Sequence, residues 1–150
     1  MAKRATESER LRVYFTYPFD TGLPRGRRSD VLRIRRALNK MYTVIESPSR
    51  GELKKVRDTA DLETIYDSVR KRLKGADLVL AYLPDDKVSP VFMNELMMAV
   101  GLGKKVAVVG SRSIRKKLEP LLAEAVSRTF DSPEELIKRG ISPEVGKQLR

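Results

Sequence analysis

The chain predicts an α/β fold of three layers, a parallel sheet with helices on both faces. Three observations carry this expectation. Short β-rich runs alternate with stretches whose apolar residues step by three and four. Two of the runs, Asp77-Leu-Val-Leu-Ala-Tyr-Leu83 and Lys105-Val-Ala-Val-Val109, are nearly continuous in apolar residues, as strands covered on both faces are. A length of 150 residues suits one domain with a real core and leaves little room for a second.

Taken in order, residues 1–10 are polar and expected to fray, so residues 11–140 form the predicted core of a single domain. Leu11-Arg-Val-Tyr-Phe-Thr-Tyr17 alternates and is β-rich, a first strand. A loop rich in Gly, Pro and Arg follows from Asp20 to Arg28. The first helix is expected from Ser29-Asp30, with Val31, Ile34, Leu38 and Met41 on its apolar stripe and Arg33, Arg35 and Arg36 outside. Tyr42-Thr-Val-Ile45 is a short second strand, and residues 47–58 are a polar connection. A helix over 60–74 places Leu62, Ile65, Tyr66, Val69 and Leu73 on one face. Strand three is Asp77–Leu83. Ser89-Pro90 then reads as an N-cap and first helical residue, opening a helix that is apolar almost all round. Lys105–Val109 is strand four, Ile114–Val126 a helix, and Ser127–Phe130 a short fifth strand. Ser132-Pro-Glu-Glu is a capped helical start. Five strands in such an alternation predict the flavodoxin-like, Rossmann-like order 2-1-3-4-5. Ligands bind such sheets beyond the carboxyl ends of the strands, at the switch point between strands 1 and 3.

Composition narrows the chemistry. The chain carries 31 Lys and Arg against 20 Asp and Glu, a net charge of +11 that attracts polyanions, phosphorylated small molecules or acidic surfaces. Cys and His are both absent, which excludes disulfides, a thiol nucleophile and the usual soft or imidazole metal ligands. Acid–base work must therefore come from carboxylates, Tyr or Lys. Neither a membrane span nor a signal h-region is seen, so a soluble, cytoplasmic protein is expected; with Cys and His absent, no metal or cofactor is expected either. Two Asn and one Gln beside 34% charged residues is a profile that leans towards a thermophilic source.

Glu95 is the most unusual residue. It is the sole charge in Val91-Phe-Met-Asn-Glu-Leu-Met-Met-Ala-Val-Gly-Leu-Gly103, and an ionised Glu costs several kcal/mol to bury without a partner. Either local donors satisfy it, or it faces a cleft and does chemistry; the loops leaving strands 1 and 3 converge on the crevice and favour the second. Arg25-Gly-Arg-Arg28 precedes the first helix. From Arg25 to Lys40 there are seven basic residues and one acidic, so six of the eleven net charges lie there. Arg forks, helix amides and the open backbone at Gly26 suit a phosphate, whereas a solvated basic face is the alternative. Ser89 is placed either to cap its helix or to bind a phosphate, and Asn94 stands beside Glu95 as a further substrate-binding candidate. Tyr14 and Tyr17 either meet a ligand at the strand's end or simply pack.

Together these residues resemble the nucleoside 2-deoxyribosyltransferase superfamily, closest to its deoxynucleoside 5′-monophosphate N-glycosidase branch. The likeness runs through Tyr14-Phe15, Arg25-Gly-Arg-Arg-Ser-Asp30, Ala76-Asp-Leu-Val-Leu-Ala81, the Ser89/Glu95 spacing and Gly103-Lys-Lys-Val-Ala-Val-Val109, over roughly residues 11–110. It implies Glu95 as nucleophile, Tyr14 orienting it, Arg25, Arg27 and Ser89 binding the phosphate, and a homodimer completing the site. It also implies cleavage through an oxocarbenium-like state, which an apposed carboxylate stabilises. The chain departs from the pattern at Val91-Phe-Met, where the family has Gly, and at Val69, where it has a second carboxylate. Asp67 is near in sequence but lies off the apolar stripe, and Asp20 or Asp86 are other possible sources of a proton. The expected function is thus cleavage or transfer of the N-glycosidic bond of a (deoxy)nucleoside 5′-monophosphate. A silent nucleotide-binding or signalling domain is the alternative. A nucleic-acid-associated role is disfavoured, since no basic stretch is interleaved with aromatics.

Overall fold

A computed structural model describes residues 10–18, 27–47, 62–84 and 90–140. The described elements are β1 (Arg12–Thr16), α1 (Arg27–Asn39), β2 (Thr43–Glu46), α2 (Leu62–Lys74), β3 (Leu78–Tyr82), α3 (Pro90–Gly101), β4 (Lys105–Val109), α4 (Arg112–Leu122), a 3-10 turn (Ala123–Ala125), β5 (Val126–Phe130) and α5 (Pro133–Arg139). The strands form one parallel sheet in the order β2-β1-β3-β4-β5, the predicted doubly wound order. None of the described helices is long and apolar enough to cross a membrane.

The two-residue period of the strands sorts their side chains into two cores. On one face Tyr14, Val79, Ala81, Val106 and Val108 pack beneath α2, α3 and α4, through Ile65, Val69 and Leu73, Phe92, Leu96 and Ala99, and Ile114, Leu118 and Leu122. On the other face Val13, Phe15, Leu78, Leu80, Tyr82, Ala107, Val109 and Phe130 pack beneath α1 and α5, through Val31, Ile34, Leu38 and Leu136. β3 is buried at all five positions, which is why its sequence shows no polar alternation. At the amino end of the sheet, Asp77 ties β3 to β1. Its Oδ2 accepts from the Arg12 N–H at 2.8 Å, and its own N–H donates to the Arg12 carbonyl at 2.7 Å. Asp77 of the Ala-Asp pair therefore sits at the end of the sheet opposite the crevice.

Several boundaries differ from expectation for local reasons. α1 begins at Arg27, two residues before Ser29, and ends at Asn39, so Met41 leaves the apolar stripe and is 56% exposed. Tyr42 closes that end instead, buried, with its N–H on the Leu38 carbonyl at 2.8 Å. α4 starts at Arg112 and stops at Leu122 rather than running to Val126, because Pro120 removes one backbone donor and the chain tightens into the 3-10 turn. α3 is not buried all round: Pro90, Asn94, Met97 and Gly101 form an outward stripe. α5 is capped as its sequence predicts, Ser132 Oγ accepting from the Glu135 N–H at 3.2 Å while Glu135 Oε2 accepts from the Asp131 N–H at 2.9 Å.

Candidate active site

Two helices begin at the carboxyl ends of the strands, α1 on one face of the sheet and α3 on the other. Each carries a buried carboxylate in its first two turns. On α3 the inward stripe runs through Phe92, Leu96 and Ala99, and Glu95 shares it with 3% exposure. Beneath it, Tyr14 and Thr16 stand two residues apart on the same face of β1, opposite Val79 and Ala81 of β3. The Tyr14 hydroxyl donates to Glu95 Oε2 at 2.9 Å, and the Thr16 hydroxyl donates to Oε1. Each carboxylate oxygen thus has its own hydroxyl donor, which offsets part of the cost of burying the charge. Thr16 was missed as a site residue. Its signal was available in the strand period, since any inward neighbour of Tyr14 towards the crevice shares its face.

Asn94 does not join this group. It lies on the outward side of α3 and donates from Nδ2 to the Tyr66 hydroxyl at 3.1 Å, bridging α3 to α2. Val69 lies at 3% exposure in the same apolar cluster as Tyr14, Phe92 and Leu96. The Asp67 side chain is 63% exposed and pairs with Arg70 at 3.1 Å, so it offers nothing to Glu95. Among the described residues, no three or more of His, Cys, Asp and Glu gather as metal ligands would.

The second carboxylate, Asp30, occupies the first turn of α1 on the opposite face and is 8% exposed. Its Oδ2 accepts from the Tyr82 hydroxyl at 3.1 Å and from Arg27 NH1 at 3.1 Å, while Arg33 NH1 lies 3.7 Å from Oδ1. The hydrogen bond that Arg27 donates to Asp30 holds its guanidinium above the ordinary pKa. Arg27 itself is half-exposed at the start of the helix. Arg33 reaches Glu134 of α5 at 2.8 Å. Arg35, expected on the surface, is instead partly buried against the end of β2. Its Nε and NH2 grip the two Glu46 oxygens at 2.5 and 3.1 Å, and NH2 also reaches the Tyr17 hydroxyl at 3.5 Å. Tyr17 leans on Phe15 with ring centroids 5.4 Å apart. Arg25, Gly26, Ser89, Asp20 and Asp86 lie outside the described residues.

No protein-family model matches the chain, and no curated protein is similar to it. Among solved structures, a conserved protein from Enterococcus faecalis V583 is similar, with a TM-score of 0.58 at 16% sequence identity over 93% of this chain and 98% of that one. At that identity the likeness shows the fold alone.

Proposed function

We propose that this chain cleaves or transfers the N-glycosidic bond of a nucleoside or deoxynucleoside 5′-monophosphate, with Glu95 as the nucleophile. The observation that carries the reading is a carboxylate held through both oxygens by Tyr14 and Thr16, at the carboxyl end of β1 beside the switch point of the sheet. Fixed hydroxyl dipoles replace water around Glu95, so little reorganisation is needed when positive charge develops on an anomeric carbon. In the reaction one Glu95 oxygen bonds to C1′ while the C1′–N bond breaks and its electron pair leaves with the base. Water or a second acceptor then attacks C1′, the C1′–O bond to Glu95 breaks and returns the free carboxylate, and the proton lost by the acceptor is taken up by the departed base. Tyr14 and Thr16 act as positioning residues for the carboxylate. Arg27, with Arg25, Gly26 and Ser89, receives the phosphate, and a homodimer belongs to the same reading.

Base release from 2′-deoxynucleoside 5′-monophosphates, followed chromatographically, tests this. Glu95→Gln is expected to abolish release while nucleotide binding persists; undiminished release overturns the assignment.

One observation favours a second reading, a catalytically silent nucleotide-binding or signalling domain. The position where the resemblance places an acid partner is Val69, which is sealed in the core. Tight nucleotide binding without base release, by both the native chain and Val69→Asp, would establish that reading instead.

A further inference from the structure

The carboxylate on the far face of the sheet has no part in the chemistry assigned to Glu95, yet it is built with equal care. Asp30 is one of four polar residues buried among the described ones, the others being Thr16, Ser47 and Glu95. An acidic residue in a helix's first turn is ordinarily explained by the helix dipole and faces solvent. Asp30 instead turns down onto the last residue of β3, where Tyr82 donates to Oδ2, and takes Arg27 on that same oxygen. The Tyr82 hydroxyl is a fixed donor, because its ring is 2% exposed at the end of the strand. Arg33 stands behind Oδ1 but has its closer partner in Glu134, so Arg27 is the cation whose direction Asp30 sets.

We propose that Asp30, anchored by Tyr82, is a positioning residue that holds Arg27 ready for a phosphomonoester. The inference rests on the nucleotide reading above and deepens it: the substrate is discriminated by its phosphate through a pre-aimed guanidinium. A half-exposed Arg loses rotamer freedom when it binds an anion, and a buried carboxylate that has already fixed the side chain removes that loss. The guanidinium has five N–H donors, and among the described residues only NH1 is used, which leaves a fork for phosphate oxygens.

The sign of one substitution decides between positioning and simple charge balance. If Asp30 only offsets Arg27, Asp30→Asn raises the local positive charge and phosphate binds more tightly. If Asp30 aims Arg27, Asp30→Asn weakens binding of a deoxynucleoside 5′-monophosphate about two- to tenfold, and of inorganic phosphate likewise, while nucleoside affinity stays unchanged. Titration calorimetry on the full chain reads these affinities. In an Arg27→Ala background the same substitution is expected to have no further effect, as a residue acting through Arg27 must behave. Tyr82→Phe keeps the ring but frees Asp30 of its anchor, and is expected to weaken phosphate binding in the same direction by less. It serves as the test should Asp30→Asn fail to fold. Tighter or unchanged phosphate binding in a folded variant overturns the inference. A native chain that binds inorganic phosphate but neither nucleosides nor nucleotides overturns the nucleotide reading and leaves the role of Asp30 to be decided by phosphate alone. A native chain that binds no phosphate overturns both.

Discussion

Glu95, Thr16 and Tyr14 form a buried group in which both hydroxyls donate to the carboxylate, so each deletion removes a hydrogen bond from an apolar core. Thr16→Val keeps the shape of the side chain but removes the hydroxyl donor to Oε1 of the buried carboxylate, and is expected to lower unfolding free energy by about 1–3 kcal/mol in chemical denaturation. In a Glu95→Met background the same Thr16→Val should lose much less, because the penalty belongs to the buried carboxylate rather than to the hydroxyl. Equal losses in both backgrounds would mean that Thr16 contributes by packing alone. Tyr82 makes a second prediction at this scale. Burial, with the Asp30 carboxylate adding to it, pushes the Tyr82 phenol well above its ordinary pKa, and burial moves Tyr42 the same way. Unfolded phenols ionise near pH 10, whereas the folded ones keep their protons, so this contribution is fully present below about pH 10 and is lost as pH rises above it. Tyr82→Phe is therefore expected to flatten the fall in stability between about pH 10 and 11.5, measured against the native chain. An identical pH profile in both proteins refutes it.

At the scale of elements, most of the chain is legible in its patterning, and the departures have local causes. Val31, Ile34 and Leu38 step along α1 as expected, but the next residue on that stripe, Met41, belongs to the turn that follows Asn39, and the tertiary contact goes to Tyr42. The apolar run of α3 concealed an outward stripe, because Met97 and Gly101 do not mark themselves as exposed by polarity. Helix α2 carries the prediction that separates the two functional readings. Its inward face presents Val69 to the cluster beneath Glu95's helix, so Val69→Asp puts a carboxylate at the position where the resemblance expects one. General acid catalysis is typically worth about 10²–10⁴-fold, so a rise in base release across pH 5–8 should be measurable even if the new group is poorly aimed. No release by either protein, with the variant folded and nucleotide bound, counts for the silent binder. Helix α5 spans only seven residues and depends on its cap. Ser132→Ala should cost about 1 kcal/mol of stability in thermal or denaturant melts, and no loss would mean that packing of Leu136 alone holds it.

For the whole molecule, the net charge of +11 bears on how the proposed phosphorylated ligand would be met. Six of those charges fall between Arg25 and Lys40, but the structure divides them: Arg35 is spent on Glu46 and Arg33 on Glu134, while Arg27 keeps donors to spare. Neutralising Arg25 and Arg27 together is expected to weaken monophosphates far more than nucleosides, with the difference shrinking as salt is raised. Equal losses for both ligands in calorimetric titrations would mean that the loop acts by shape. In the doubly wound order β1 and β3 are neighbours and the helices α1 and α3 that follow them lie on opposite faces of the sheet, which puts Arg27 at the start of one and Glu95 on the other.

What the sequence determined by itself was the alternation of strands and helices, the sheet order that follows from it, and the oddity of a lone Glu in an apolar helix. Those are properties of local period and of the cost of burying charge, and both can be read one residue at a time. Tyr14 beside Glu95 was expected only from the resemblance, and Thr16 not at all, because they precede Glu95 by 81 and 79 residues and reach it through strand register. The same holds for Asp30 and Tyr82, 52 residues apart, whose pairing turns an ordinary first-turn acid into a buried anchor. Polarity along the chain marks a buried carboxylate as costly; only packing chooses the donors that satisfy it.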